Sequence, residues 1–376
     1  MLQLCSERIV HKSVVPKKVK NGENSLSENR PALTTQLTYT PTSPFMSSPL
    51  PSPTHSHSLD GLPPFIIGGA VFNYQYHSNP ESLPVEDILQ HAFKLGYNAI
   101  DTSPYYGPSE EILGQALSKL NVPRESYYIC TKAGRVKLDE FDYSRKLVRA
   151  SVMRSLTRLQ ATYLDLVYMH DIEFVTIDEV IEALHELQSL KNEGIVKNIG
   201  VSGYPIQFLY AVAVKWKQVN NGAPLDAVMS YCHGCIQNNS LFDIAPKLQT
   251  DAGVNKIMNG LILSMSLLRS QPTHSFHPAS TALKQRVDEL AQQLQLQHRV
   301  ELAELATKYS IYEWMIKRRS SVVLGVSNLH ELNVAIDAFE LLKRNGGLSD
   351  TDTQLIKQFQ SDLGDHFNES WPSGHL

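Results

Sequence analysis

Residues 84–101 read Pro-Val-Glu-Asp-Ile-Leu-Gln-His-Ala-Phe-Lys-Leu-Gly-Tyr-Asn-Ala-Ile-Asp, and they hold one complete structural unit. Pro84 stands where a helix can begin, because its missing N–H costs nothing in the first turn. Val85, Ile88, Leu89, Ala92 and Phe93 share one helical face, and Gly96 ends the helix. Tyr97–Ile100 is then a short β-rich run, with Asp101 directly after it.

The same unit recurs in both directions. Upstream, Phe65–Ile67 is a strand broken by Gly68-Gly69. Downstream, Ser109 is expected to cap a helix reaching Leu120, which leads into Tyr127–Cys130. A helix around Ser144–Leu159 precedes Leu164–Met169, an apolar run interrupted only by Asp165 and of the kind buried on both faces. Asp178–Asn192 is helical with Gly194 as its stop, and Ile195–Val201 follows. Ala227–Ser230, Val254–Met258 and Ser321–Leu324 are further strands, the last running into a helix near Asn328–Leu342. Eight strands separated by helices, with no G-x-G-x-x-G fingerprint behind any of them, predict an α/β protein closed as a (β/α)8 TIM barrel rather than an open dinucleotide-binding sheet.

The chain has 376 residues, enough for such a barrel plus additional segments, and 42% of them are hydrophobic. The net charge is −4, but residues 1–64 carry six basic and four acidic residues, leaving 28 against 34 in the body. An acidic body argues against nucleic acid as a partner. No apolar run is long enough for a membrane span. Four cysteines are too few for a disulfide scaffold, and Cys232-His233-Gly234-Cys235 lacks the second pair that a structural zinc site wants, so no metal is expected.

Between Pro41 and Asp60 lie five Pro, six Ser and two Thr, a composition that cannot bury enough surface to offset chain entropy. Three segments are therefore expected: a disordered Ser/Pro-rich extension over 1–62, the barrel over 63–346, and a C-terminal tail over 347–376. Arg8, Lys12, Lys17, Lys18 and Lys20 against Glu7 alone give the first residues the charge bias of a mitochondrial presequence, but Pro16 interrupts any helix there. The expected compartment is cytoplasmic, with mitochondrial targeting as the alternative.

Chemistry in a (β/α)8 barrel belongs at the C-terminal ends of the strands. Here the second strand ends in Asp101-Thr102-Ser103-Pro104-Tyr105-Tyr106-Gly107, the third in Cys130-Thr131-Lys132, the fourth in Tyr168-Met169-His170-Asp171 and the fifth in Val201-Ser202-Gly203. Taken singly, an Asp after a strand caps a turn, a Lys is solvated and a His is structural. Their recurrence at three successive strand ends is what points to a site.

The run from Gly96 to Glu110, with Asp101-Thr102-Ser103-Pro104-Tyr105-Tyr106-Gly107 at its centre, resembles the signature of the aldo-keto reductase superfamily. Thr131-Lys132-Ala133-Gly134-Arg135, His170-Asp171-Ile172-Glu173-Phe174, Ser230-Tyr231-Cys232-His233 and His277-Pro278-Ala279-Ser280 resemble the sugar dehydrogenases within it. The likeness extends from about Phe65 to Phe339. It implies a catalytic set of Asp101, Tyr106, Lys132 and His170. Tyr106 is the acid/base, because the motif places that residue five after the Asp and just before Gly. A free Tyr titrates near ~10, and a Lys132 ammonium, held by Asp101, is expected to lower that value. A neutral His170 would orient the substrate oxygen.

The resemblance also implies a nicotinamide cofactor bound by Gly69, Ser202, Ser230, Gly325, Ser327 and Glu331. Three departures stand out. Gly203 replaces an Asn beside Ser202, Gly260-Leu261-Ile262-Leu263 replaces Ala-Ser-Pro-Leu, and Glu331 stands where NADP-dependent members often carry an Arg that grips the 2′-phosphate. An acidic residue there is expected to favour NAD over NADP. The implied function is NAD-dependent oxidation of an aldose, D-arabinose or similar, at carbon one to the lactone, in a monomer or homodimer. The alternatives are an NADPH-dependent carbonyl reductase and a non-catalytic nicotinamide-binding subunit.

Overall fold

Eight parallel strands close on themselves in the computed structural model, which describes residues 57–374. They are β1 (Phe65–Gly68), β2 (Ala99–Asp101), β3 (Tyr128–Ala133), β6 (Leu164–His170), β7 (Val196–Gly203), β8 (Ala227–Tyr231), β9 (Lys256–Gly260) and β10 (Val322–Gly325). Between β3 and β6 the antiparallel hairpin β4 (Arg135–Lys137) and β5 (Glu140–Phe141) interrupts the repeat. The closed order is β1-β10-β9-β8-β7-β6-β3-β2. Every expected strand is present, displaced by at most three residues at either end.

The helices are α1 (Val85–Lys94), α2 (Ser109–Lys119), α3 (Arg145–Arg158), α4 (Ile177–Asn192), α5 (Ile206–Val219), α6 (Ser240–Thr250), α7 (Thr281–His298), α8 (Leu302–Ser310), α9 (Leu329–Asn345) and α10 (Asp350–Leu363). The five apolar residues expected on one face of α1 are all buried. Ser109 is fully buried and does not cap α2 as expected. Its hydroxyl instead donates to the Gly69 carbonyl at 2.8 Å and meets Thr102 Oγ1 at 2.9 Å, so it ties the loop after β1 to the end of β2.

Two apolar layers result. The larger lies between strands and helices. The smaller fills the barrel interior with Ile66, Ala99, Tyr128, Cys130, Leu166, Tyr168, Ala227, Met229, Met258 and Val323. These positions define the inward parity of each strand, because side chains alternate with period two. Two residues further along on the same parity stand Gly68, Asp101, Lys132, His170, Tyr231, Gly260 and Gly325. Strand register sets them level, with Gly68 opposite both Asp101 and Gly325, His170 opposite Ser202, and Tyr231 opposite Gly260. The packed interior therefore ends in a polar layer at the C-terminal rim.

The expected extension over 1–62 lies outside the described residues as far as residue 56. From His57 the chain is packed. Leu59 is buried, and with Leu62 it floors the barrel interior. The His57 carbonyl accepts from Asn198 Nδ2 at 2.8 Å. Two leucines after the Pro/Ser run supply the apolar surface that the run lacks. Residues 347–376 were expected as a tail, but α10 buries Leu355, Ile356, Phe359 and Leu363 against α7 and α8. Beyond it Trp371 stacks on Tyr204 at 4.6 Å. Among the described residues no helix is long and apolar enough to cross a membrane.

Candidate active site

All seven rim residues of inward parity, together with Ser202, line one cavity of about 280 Å³. Asp101 and Lys132 stand at its base, nearly fully buried, with Lys132 Nζ 2.5 Å from Asp101 Oδ1 and 2.9 Å from the Thr102 carbonyl. Burial pulls the Lys132 ammonium down, but Asp101 and Tyr106 outweigh it and hold the group above the ordinary lysine range. Burial also pushes the Asp101 carboxyl up, with the Lys132 charge and hydrogen bond opposing it. Tyr106 comes from the loop after β2. Its ring centroid lies 4.9 Å from Lys132 Nζ.

The expectation for Tyr106 needs correction. Lys132 does pull the phenol down, but burial is the larger effect, and the group lies above the usual tyrosine value. A tyrosinate taken from water into this site loses more hydration than one cation, itself half-spent on Asp101, returns.

His170 faces Tyr106 edge-on, with ring centroids 5.6 Å apart and planes at 88°. Burial drives its pKa down to about 3, with Lys132 and Arg135 adding to the effect and Asp171 opposing it, so the imidazole is neutral near neutral pH. Its Nδ1 lies 3.0 Å from Ser103 Oγ. Asp101, Tyr106, Lys132 and His170 thus meet in one cavity.

The candidate cofactor residues divide. Ser202 and Gly325 line the cavity, and Ser202 is weakly engaged, with its Oγ 3.5 Å from the Met169 carbonyl. Gly69 does not line it. A Cβ there would meet Ser109 Oγ at 2.6 Å, and the cavity is lined instead by Gly68. Ser230 is fully buried off the cavity, with its Oγ 3.5 Å from His233 Nδ1, and Tyr231 takes the lining position. In both cases the residue one step along the strand has the inward parity. Ser327 and Glu331 bond each other outside the cavity. The Glu331 carboxylate accepts the Ser327 N–H at 2.7 Å and its hydroxyl at 3.0 Å, while Asn328 caps α9 through the Glu331 N–H.

Several lining residues were not picked out from sequence. Arg135 opens the hairpin after Gly134, whose φ of +101° turns the chain at the end of β3. Its guanidinium pairs with Asp171 and lies 3.9 Å from the Tyr105 ring centroid. Asp171 sits in the left-handed region at φ +54°, a conformation that non-glycine residues adopt at a cost and that clusters at functional sites. Tyr76, Arg269 and His274 enter from loops. Cys232 and Cys235 are buried free thiols.

A phenol resting on a fixed cation, opposite a neutral imidazole at the open end of a barrel, is the arrangement of a (β/α)8 enzyme. The chain belongs to the aldo/keto reductase family of oxidoreductases, whose profile matches residues 64–357. It is 50% identical over 321 residues to D-arabinose 1-dehydrogenase of Saccharomyces cerevisiae, covering 84% of this chain and 95% of that protein. It is 36% identical over 290 residues to L-galactose dehydrogenase of Arabidopsis thaliana, covering 76% and 86%. Among solved structures, the holo form of an aldo-keto reductase from Bacillus halodurans shares the fold with a TM-score of 0.58 at 21% identity, over 79% of this chain and 91% of that one. Members of the family use nicotinamide cofactors.

Proposed function

We propose that this protein oxidises an aldose, D-arabinose or a close relative, at carbon one to the lactone, with NAD preferred over NADP. The observation that carries the proposal is the stacked order Asp101, Lys132, Tyr106 beneath one cavity shared with neutral His170. The half-identity to a D-arabinose 1-dehydrogenase across nearly that protein's whole length supports the substrate class.

The cavity fits a nicotinamide dinucleotide. Ser202 has a hydroxyl only weakly held by the Met169 carbonyl and so able to turn to a carboxamide, Tyr231 is an aromatic lining residue suited to a planar ring, and Gly68, Gly260 and Gly325 leave the rim without side chains. When bound, the nicotinamide supplies the hydride acceptor. The rest falls to this chain. As the C1–H bond breaks, the hemiacetal hydroxyl gives its proton to Tyr106, and the remaining electron pair forms the lactone carbonyl. Lys132 steadies the tyrosinate that must accept that proton, and Asp101 keeps Lys132 charged and in place. His170 donates a hydrogen bond to the substrate oxygen and fixes its direction toward Tyr106.

NAD preference rests on Glu331. Its carboxylate already covers the Ser327 N–H at the start of α9, and a 2′-phosphate approaching there meets like charge. The test is purified protein with a panel of pentoses and hexoses, read at the absorbance band of reduced nicotinamide with NAD and NADP in parallel. Turnover with D-arabinose and NAD is expected. Saturable cofactor binding without turnover on any sugar would support a nicotinamide-binding subunit instead.

A further inference from the structure

The cavity wall beside His170 carries an ion pair that the proton transfer at carbon one does not use. Arg135 pairs with Asp171 Oδ2, and both residues line the cavity although Asp171 is almost fully buried. Such a pair loses hydration on both charges, and an apolar pair of similar size would build a purely structural wall at least as stably. The carboxylate also keeps capacity to accept. Among the described residues Asp171 Oδ1 has no hydrogen bond, and Oδ2 stands 3.6 Å from His170 Nε2, too far to take its proton.

The pair is held rigidly. Asp171 is fixed at φ +54°, directly after His170, whose carbonyl accepts the buried Tyr143 hydroxyl. Arg135 follows Gly134, where a Cβ would meet the same Tyr143 ring at 2.5 Å. The guanidinium lies 3.9 Å from the Tyr105 ring centroid and 5.3 Å from that of Phe141, which itself stacks on Phe174 at 4.3 Å. Its Nε and Nη2 donate to the Lys137 and Leu138 carbonyls at 3.4 and 3.2 Å. Rings and carbonyls thus fasten the arginine, and the arginine fastens the carboxylate.

We infer that Asp171 is a specificity residue that reads the C2 hydroxyl of the sugar, with Arg135 as the positioning residue that holds it. The inference rests on the aldose-oxidation reading above, in which His170 Nε2 donates to the oxygen on C1. The Asp171 carboxylate then lies beside that oxygen. On an aldose ring two groups flank it, the ring oxygen and the C2 hydroxyl. The ring oxygen carries only lone pairs, which a carboxylate repels. The C2 hydroxyl can donate, and a charge-assisted bond from it repays hydration that the carboxylate has lost. The sugar is therefore seated with C2 toward Asp171 and the ring oxygen away. An epimer at C2 aims its hydroxyl elsewhere and leaves the carboxylate unpaired.

The experiment uses the full chain with D-arabinose, its C2 epimer D-ribose, and 2-deoxy-D-ribose, which is D-arabinose without the C2 hydroxyl. Values of kcat/KM with NAD are measured for wild type, Asp171→Asn, Arg135→Met and Arg135→Lys. Calorimetry gives the sugar affinities of the same proteins with and without NAD. Asparagine tolerates positive φ, so Asp171→Asn keeps the backbone. Comparing sugar ratios between proteins cancels the different intrinsic reactivity of the deoxy sugar. Asp171→Asn is expected to cut the preference for D-arabinose over 2-deoxy-D-ribose by about ten- to a hundredfold, the scale of one charge-assisted hydrogen bond. The preference over D-ribose should fall with it. Arg135→Met should lower both ratios part of the way, and Arg135→Lys should restore them. Ratios that stay the same in Asp171→Asn overturn the inference, even if all rates fall together, because a uniform loss marks a role at His170 or in the fold. A wild type that turns over no sugar overturns the oxidation reading, and the affinities then decide. A preference for D-arabinose that Asp171→Asn abolishes keeps the hydroxyl site, and equal affinities sink it.

Discussion

Ser103 Oγ lies 3.0 Å from His170 Nδ1 while accepting the backbone N–H of Tyr105 at 3.1 Å, and this decides which nitrogen of His170 carries the proton. Ser103 is fully buried, and among the described residues its hydroxyl hydrogen has no acceptor other than Nδ1. A proton on Nδ1 would strand that hydrogen, at a cost of about 1–3 kcal/mol for a buried unsatisfied donor. The stable tautomer is thus protonated on Nε2, the nitrogen 3.6 Å from the Asp171 carboxylate. Ser103→Ala should leave a mixture of tautomers and lower kcat roughly tenfold, equal to about 1.4 kcal/mol of barrel-mouth preorganisation. Long-range nitrogen–proton correlation spectra of the His170 ring read the tautomer directly. A spectrum identical in wild type and variant would refute the assignment.

Tyr106→Phe removes the proton acceptor, and turnover should fall by roughly two to four orders of magnitude. Tyr105→Phe keeps the ring that lies against Arg135 and deletes a hydroxyl with no hydrogen bond among the described residues, so its effect should be small. Steady-state kinetics on both variants rank the two. The opposite ranking would make Tyr105 the base.

Sugar oxidation requires tyrosinate, and burial holds the Tyr106 phenol above its ordinary value while Lys132 opposes this. The oxidation rate should accordingly climb with pH and level off only in the alkaline range. Lys132→Met should move that limb further upward, and Lys132→Arg should return it part of the way. His170, with a pKa of about 3, should add no acid limb in the working range. Initial rates across the pH range, with circular dichroism to confirm folding, test the three claims together. A limb that stays put in Lys132→Met would show that another group titrates.

Much of this site was legible because strands alternate. Asp101, Lys132 and His170 share a parity with the apolar residues Ala99, Cys130 and Tyr168, which fill the barrel interior. The same count separates Gly68 from Gly69 and Tyr231 from Ser230, so strand parity is what puts the first of each pair on the cavity wall and the second off it. Arg135 and Arg269 were not legible. Each leaves an irregular loop, where no period ties sequence position to direction, and the pairing of Arg135 with Asp171 exists only in three dimensions. The segment after residue 347 is an intermediate case. Ser349 accepting the Asp352 N–H, followed by Leu355, Ile356, Phe359 and Leu363, is a capped amphipathic pattern, whereas the stacking of Trp371 on Tyr204 could not be read from spacing.

Cofactor choice can be altered at one residue. Glu331→Arg replaces a carboxylate at the start of α9 with a group that can grip a 2′-phosphate, and the kcat/KM ratio should shift toward NADP by about ten- to a hundredfold. Because Glu331 also accepts the Ser327 N–H, Glu331→Gln is the control that preserves a hydrogen-bond acceptor and removes only charge. It should shift the ratio by less. Both shifts should shrink as salt rises, since the site is exposed. A wild-type enzyme that already prefers NADP would reduce Glu331 to a helix-end residue.

Glu173 links the rim to the C-terminal segment, and its protonation should set stability. Its carboxylate accepts from Ser373 Oγ at 2.8 Å and from the Tyr204 N–H at 3.2 Å, while Oε2 is buried without a hydrogen-bond partner among the described residues. Gly374 passes so close that a Cβ there would lie 2.1 Å from the Glu173 carbonyl oxygen. Burial, with the neighbouring Asp171 charge adding, raises the carboxyl from 4.5 to about 7. A folded state that binds this proton more tightly than the unfolded chain gains stability that is fully present below the unfolded value. That stability is lost as pH rises through the folded one. Wild type should therefore lose up to a few kcal/mol between about pH 5 and 8 from this group. Glu173→Gln, which keeps an acceptor for Ser373 and Tyr204 but carries no charge, should lose less. Thermal melts of both proteins across that range give the comparison: the difference in Tm should be small at the acid end and widen in the variant's favour toward pH 8. Parallel curves would mean that Glu173 enters the folded state already ionised, with its charge stabilised by groups beyond Ser373 and Tyr204.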